Sequence, residues 1–164
     1  MKTLVAGFGN ALLSDDGLGS AVAHILSRTQ LGPGVRVLDF GTGGMHLALE
    51  MLNGYDMVVI VDAVALDDVP GSVFAIEIDP DRNACGERPA DPHAMDVDNV
   101  LRLYARLCEQ SELERCARIV VVGCVPLNVE EGLDLSEPVR AALPACVELV
   151  RKLTHRDAVT GAQT

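Results

Sequence analysis

Tryptophan is absent from this chain, and three phenylalanines and two tyrosines are its only aromatic residues. Surfaces that stack bases or sugars are built from such rings, so both ligand classes are disfavoured. Lysine is nearly as scarce, with Lys2 and Lys152 the only two. Thirteen Lys and Arg face 24 Asp and Glu, giving a net charge of −11 and a pI near 4.6. A nucleic-acid partner needs a basic stripe, and this sequence has none. No apolar run approaches the ~20 residues that span a bilayer, and no basic leader with a cleavage site opens the chain. A cytoplasmic chain without membrane partners is the expectation.

Cysteine is present but unpatterned. Cys85, Cys108, Cys116, Cys124 and Cys146 are odd in number and include no C-x-x-C pair, so neither a disulfide framework nor a structural zinc site is indicated. Cys108, Cys124 and Cys146 fall in apolar segments and are expected in the core, whereas Cys85 lies in a polar loop.

Apolar residues make up 49% of the 164 positions, with a mean hydropathy of +0.25, enough to close a core in one domain. That domain is expected over residues 1–153, followed by a polar, poorly ordered tail over 154–164. Strands are expected at Thr3–Phe8, Val35–Phe40, Met57–Val64, Ser72–Ile78 and Arg118–Val125. Helical spacing of apolar residues marks Gly17–Ser27, Met45–Leu52, Val97–Cys108 and a last helix from Val139 to Leu153. Ser136 is placed to cap that helix and Pro144 to kink it. Alternation of β-branched strands with helices predicts a three-layer α/β fold with a twisted, mostly parallel five-stranded sheet. Val64–Gly71 is too short for a crossover helix, so the fourth strand should run antiparallel at an edge. No helical stripe is left over, and a monomer is expected.

In open parallel sheets, ligands gather at the carboxyl ends of the strands. Asp62 ends the apolar run MVVIVD, where a buried carboxylate demands a partner. Asp15 and Asp16 follow the first strand; one is expected to cap the first helix and the other to remain free. His93 closes the long polar segment Asp79–Met95, three residues before Asp96, a natural helix N-cap. Two carboxylates and an imidazole on one edge make a candidate site for a divalent metal with open coordination positions, and so for metal-dependent hydrolysis. Two rival readings fare worse. Gly7-x-Gly9 lacks the third glycine of a dinucleotide loop, since Leu12 stands there. A receiver-type signalling domain with Asp62 as phosphoacceptor lacks the lysine it needs near Val125.

Taken in order, LVAGFGN (Leu4–Asn10), LLSDDGLG (Leu12–Gly19), DFGTGGM (Asp39–Met45), IVDA (Ile60–Ala63), Pro92-His93, GCVP (Gly123–Pro126) and GLDLS (Gly132–Ser136) resemble the [NiFe]-hydrogenase maturation proteases. The resemblance implies the three-layer, phosphorylase/hydrolase-like fold of that family. It also implies an endopeptidase that removes a C-terminal extension from a hydrogenase large-subunit precursor after nickel insertion. Asp16, Asp62 and His93 match the residues thought to engage nickel, the metal arriving with the substrate. Some members carry glutamate at the position of Asp16, so the carboxylate here is drawn back by one methylene. The turn Gly41-Thr42-Gly43 matches a segment associated with substrate recognition. Carboxylate and imidazole donors also suit other divalent ions, so composition alone leaves the metal open.

Overall fold

Five apolar segments form one sheet in the computed structural model, which describes residues 1–79 and 96–160. The strands are β1 (Thr3–Phe8), β2 (Val35–Gly41), β3 (Met57–Ala63), β4 (Val73–Ile78) and β5 (Arg118–Cys124), in the order β2-β1-β3-β5-β4. β2, β1, β3 and β5 are mutually parallel, and β4 pairs antiparallel with β5 at the edge. The connection from β3 to β4 carries no helix, which is why β4 returns alongside β5 in the opposite sense.

The helices are α1 (Leu18–Ser27), α2 (Gly44–Met51), α3 (Val97–Ser111) and α4 (Glu137–Thr160). Strand alternation sorts the core into two layers. Leu4, Ala6, Phe8, Val58 and Ile60 pack with α2 and α3 on one face. Val5, Val59, Val61 and Val122 pack with α1 and α4 on the other. Cys108, Cys116, Cys124 and Cys146 are buried as small core residues. Cys85 lies outside the described residues. Asp96 caps α3, its Oδ1 accepting the Asn99 N–H at 2.8 Å. Pro144 sits inside α4 without interrupting it, and the helix runs on past Leu153 to Thr160. Thr154 is buried, its hydroxyl donating to the Arg151 carbonyl. Among the described residues no helix is long and apolar enough to cross a membrane.

α1 lies unusually close to the sheet. A Cβ on Gly19 would stand 2.1 Å from the Phe8 carbonyl oxygen and 2.4 Å from that of Val61. A Cβ on Gly7 would meet the Gly19 carbonyl at 2.4 Å, so two bare backbones face each other across this contact. This approach sets where the loop between β1 and α1 emerges. Gly19→Ala must push α1 off β1 and β3, at a cost of about 3 kcal/mol in unfolding free energy. Denaturant unfolding of purified protein measures it; an unchanged midpoint would show that the helix is free to shift.

Candidate functional site at the carboxyl edge of the sheet

β1 and β3 are neighbours, but the chain leaves β1 toward β2 and leaves β3 toward β4 and β5. Such a divergence opens a crevice at the carboxyl ends of the two strands. Asp62 stands there. It continues the row of Val58 and Ile60, on the face covered by α2 and α3, and is only 8% exposed. Gly9, at φ +120°, turns the chain directly above it. A Cβ at Gly9 would lie 3.3 Å from the Asp62 Oδ1 and 2.1 Å from the Asp16 carbonyl oxygen. Only glycine fits between the two acidic residues.

Burial pushes the Asp62 carboxyl up to about 7, and the nearby Asp16 carboxylate adds to the rise. The Ala63 N–H opposes this, and Asp96 at the start of α3 contributes further repulsion. The partner that a buried carboxylate demands is therefore a second carboxylate. No cationic side chain among the described residues offsets the pair. Asp16 is half-buried, and its Oδ2 accepts the Asn10 N–H at 2.7 Å, which holds it toward the β1 loop.

The expectation that Asp15 or Asp16 caps α1 fails. The N-cap position belongs to Gly17, with no side-chain hydrogen bond. Asp15 is fully buried and serves as a clamp between two loops. Its Oδ2 accepts the N–H groups of Leu127 (2.8 Å) and Asn128 (3.0 Å) and the Ser136 hydroxyl (2.8 Å). Its Oδ1 accepts the Ser136 N–H at 2.6 Å. Burial raises the Asp15 carboxyl, but these bonds from Ser136, Asn128 and Leu127 more than offset it, and the group titrates below its ordinary value. The hydroxyl of Ser136 thus donates to Asp15, while its carbonyl accepts the Arg140 N–H at the head of α4. Nothing in the local sequence around Asp15 signals this contact, because the partners lie 112 to 121 residues away.

The Gly41-Thr42-Gly43 turn borders the same crevice. The Gly41 carbonyl accepts the Gly9 N–H at 3.0 Å, and Gly43 leads into α2. Asp39, at the end of β2, is held by the Ser20 hydroxyl and the Gly41 N–H. His24, His46 and His155 are exposed. His93 lies outside the described residues. Among the described residues no three His, Cys, Asp or Glu side chains are grouped to hold a metal ion; Asp16 and Asp62 stand as a pair.

Asp15 and Asp62 should respond to pH in opposite senses. Asp15, depressed when folded, contributes stability above its unfolded value of 3.8 that is lost as pH falls through its folded value. Asp62, raised when folded, costs stability increasingly between pH 3.8 and about 7, and fully above that. Asp62→Asn should therefore raise unfolding free energy at pH 8, by up to about 4 kcal/mol at about 1.4 kcal/mol per tenfold change in proton affinity, with little gain near pH 4. Asp15→Ala should lower it by about 3 kcal/mol at neutral pH, since part-buried N–H groups lose their acceptor and two loops lose their tie. Unfolding curves at both pH values check this, and a destabilised Asp62→Asn would refute the assignment.

The fold agrees with comparisons to known proteins. A family model described as hydrogenase maturation protease matches residues 20–153. The hydrogenase expression/formation protein HupD of Rhizobium leguminosarum bv. viciae is 31% identical over 149 residues, 90% of this chain and 71% of its own. The hydrogenase 2 maturation protease of Escherichia coli K12 is 30% identical over 152 residues, 92% of this chain and 88% of its own. Among solved structures, the hydrogenase maturating endopeptidase HybD from E. coli superposes with a TM-score of 0.77 at 24% identity, covering 96% of this chain and 94% of its own, and so supports the fold. The [NiFe] hydrogenase maturation protease HybD from Thermococcus kodakarensis gives 0.71 at 30% identity, covering 94% and 99%. The receiver alternative is not favoured: that fold has an all-parallel 2-1-3-4-5 sheet, whereas β4 here is antiparallel and outermost. This chain belongs to the hydrogenase maturation protease family.

Proposed function

We propose that this protein is an endopeptidase that removes the C-terminal extension of a [NiFe]-hydrogenase large-subunit precursor once nickel has been inserted. The observation that carries this reading is the pairing of Asp62 with Asp16 at the sheet edge in a chain of this family. Two carboxylates in one partly desolvated crevice repel each other, and a divalent cation entering between them relieves the repulsion. Nickel belongs to the substrate in this reading, held by the precursor's own thiolates.

In this reading Asp16 and Asp62 supply oxygen donors and His93 an imidazole nitrogen to the substrate's metal. A precursor without nickel leaves the carboxylates unpaired and docks poorly, which makes metal insertion the condition for cutting. The engaged metal fixes the scissile peptide against the crevice, where its carbonyl can be polarised or a water activated. The Gly41-Thr42-Gly43 turn, tied to Gly9, is positioned to meet the extended chain leading to the cut.

Cleavage of nickel-loaded against nickel-free precursor by the purified protease tests this. The loaded form should be cut at least a hundredfold faster, and equal cleavage of both would refute nickel reading. Asp62→Asn and His93→Ala should each abolish processing while the protein stays folded. Full activity in either variant removes that residue from the site.

A further inference from the structure

Four large apolar side chains stand exposed in two loops, where no periodicity marks them in the sequence. Leu133 is 79% exposed, Leu12 63%, Leu127 58% and Val129 51%. They come from two segments, 10–13 after β1 and 126–135 after β5, which are laced together. The Gly132 N–H donates to the Leu12 carbonyl at 2.9 Å and the Ser14 N–H to the Gly132 carbonyl at 2.8 Å. The Asp15 N–H donates to the Asn128 carbonyl at 3.1 Å, and the Asp15 carboxylate accepts the N–H groups of Leu127 and Asn128 in return. The Ser14 hydroxyl donates to the Glu130 carbonyl at 3.0 Å. These loops are therefore a fixed ridge, with large apolar side chains held in water.

The ridge is also acidic. Glu130, Glu131 and Asp134 alternate with the apolar residues, are exposed, and form no ion pair with the described residues. The cation beside them, Arg140, is engaged by the Leu135 carbonyl and Glu137. Both segments issue from the carboxyl edge that carries Asp62, whose strand partner in β5 is Gly123. Asn10, which holds Asp16, is two residues from Leu12. A molecule seated on the ridge reaches the crevice without crossing the protein.

We propose that this ridge is the docking surface for a segment of the substrate protein in which apolar side chains are interspersed with lysine or arginine. Apolar contacts at the centre of such a surface supply affinity, and the carboxylates steer and register the basic partner. A second copy of this chain is a poor occupant, since a two-fold contact would set Glu130, Glu131 and Asp134 against their own copies. The inference rests on the proposed function for the identity of the partner, and its test reads binding rather than cleavage.

The experiment measures the Kd of nickel-loaded hydrogenase large-subunit precursor for the full-length protease and for three variants. Leu127→Ser/Leu133→Ser and Glu130→Lys/Glu131→Lys should each weaken binding at least tenfold, with melting midpoints unchanged because the altered side chains are exposed. Leu113→Ser, an equally apolar exposed change in the loop before β5 at the opposite edge, should bind as wild type. Wild-type affinity should fall as salt rises. Unchanged Kd in both double variants overturns the proposal, as does an equal loss in Leu113→Ser or no precursor binding by the wild type. A dimer that the double variants abolish without affecting precursor Kd also overturns it. Precursor that binds through the ridge yet is not cut supports the docking surface and removes the catalytic reading instead.

Discussion

The buried carboxylate of Asp15 ties the loop after β1 to the loop after β5, and the working edge of the molecule depends on that tie. Four hydrogen bonds, three of them from backbone N–H groups, converge on its two oxygens. Each donor would otherwise be left without an acceptor in a buried or half-buried setting. The clamp fixes the start of α4 through Ser136 and the course of residues 127–128. It also fixes the 3-10 turn that presents Asp16 one residue later. Without it the crevice would have no fixed second wall.

Two adjacent sites in one small domain thus treat aspartate in contrary ways. Asp15 is buried and satisfied, and its charge is stabilised by the donors around it. Asp62 is nearly as buried, but its neighbours are the carboxylates of Asp16 and Asp96. A fold selected for stability alone would place a neutral or apolar side chain at Asp62. Retaining an acid there makes sense where a cation is brought to it, and in the proposed function a substrate-borne metal would supply one. The acidic, apolar ridge extends the same logic outward, with fixed negative charge awaiting a positively charged partner.

Much of this was legible in the sequence because it rests on local pattern. Apolar runs marked all five strands to within a residue or two, and the short Val64–Gly71 connection foretold the antiparallel edge strand. Asp62 stood out because a carboxylate ending an apolar strand is conspicuous. The roles within Asp15-Asp16 were not legible, since both residues have the chemistry of a helix cap and only tertiary contacts separate them. The clamp's partners are more than a hundred residues distant, and no periodicity announces them. The exposed ridge escaped for a related reason: loop leucines carry no phase that tells buried from bare. Residues 80–95, which include His93, lie outside the described residues, so the third member of the candidate site is read from the sequence.

Asp62 and Asp16 share one desolvated crevice as a carboxylate pair. Carbon-13 NMR titration of the Asp62 side-chain carboxyl, in the wild type and in Asp16→Asn, tests it most directly. A midpoint near pH 7 is expected in the wild type, moving down, though not to 3.8, when Asp16 loses its charge, because burial remains the larger cause. A wild-type midpoint near 3.8, or one that Asp16→Asn leaves in place, would contradict it.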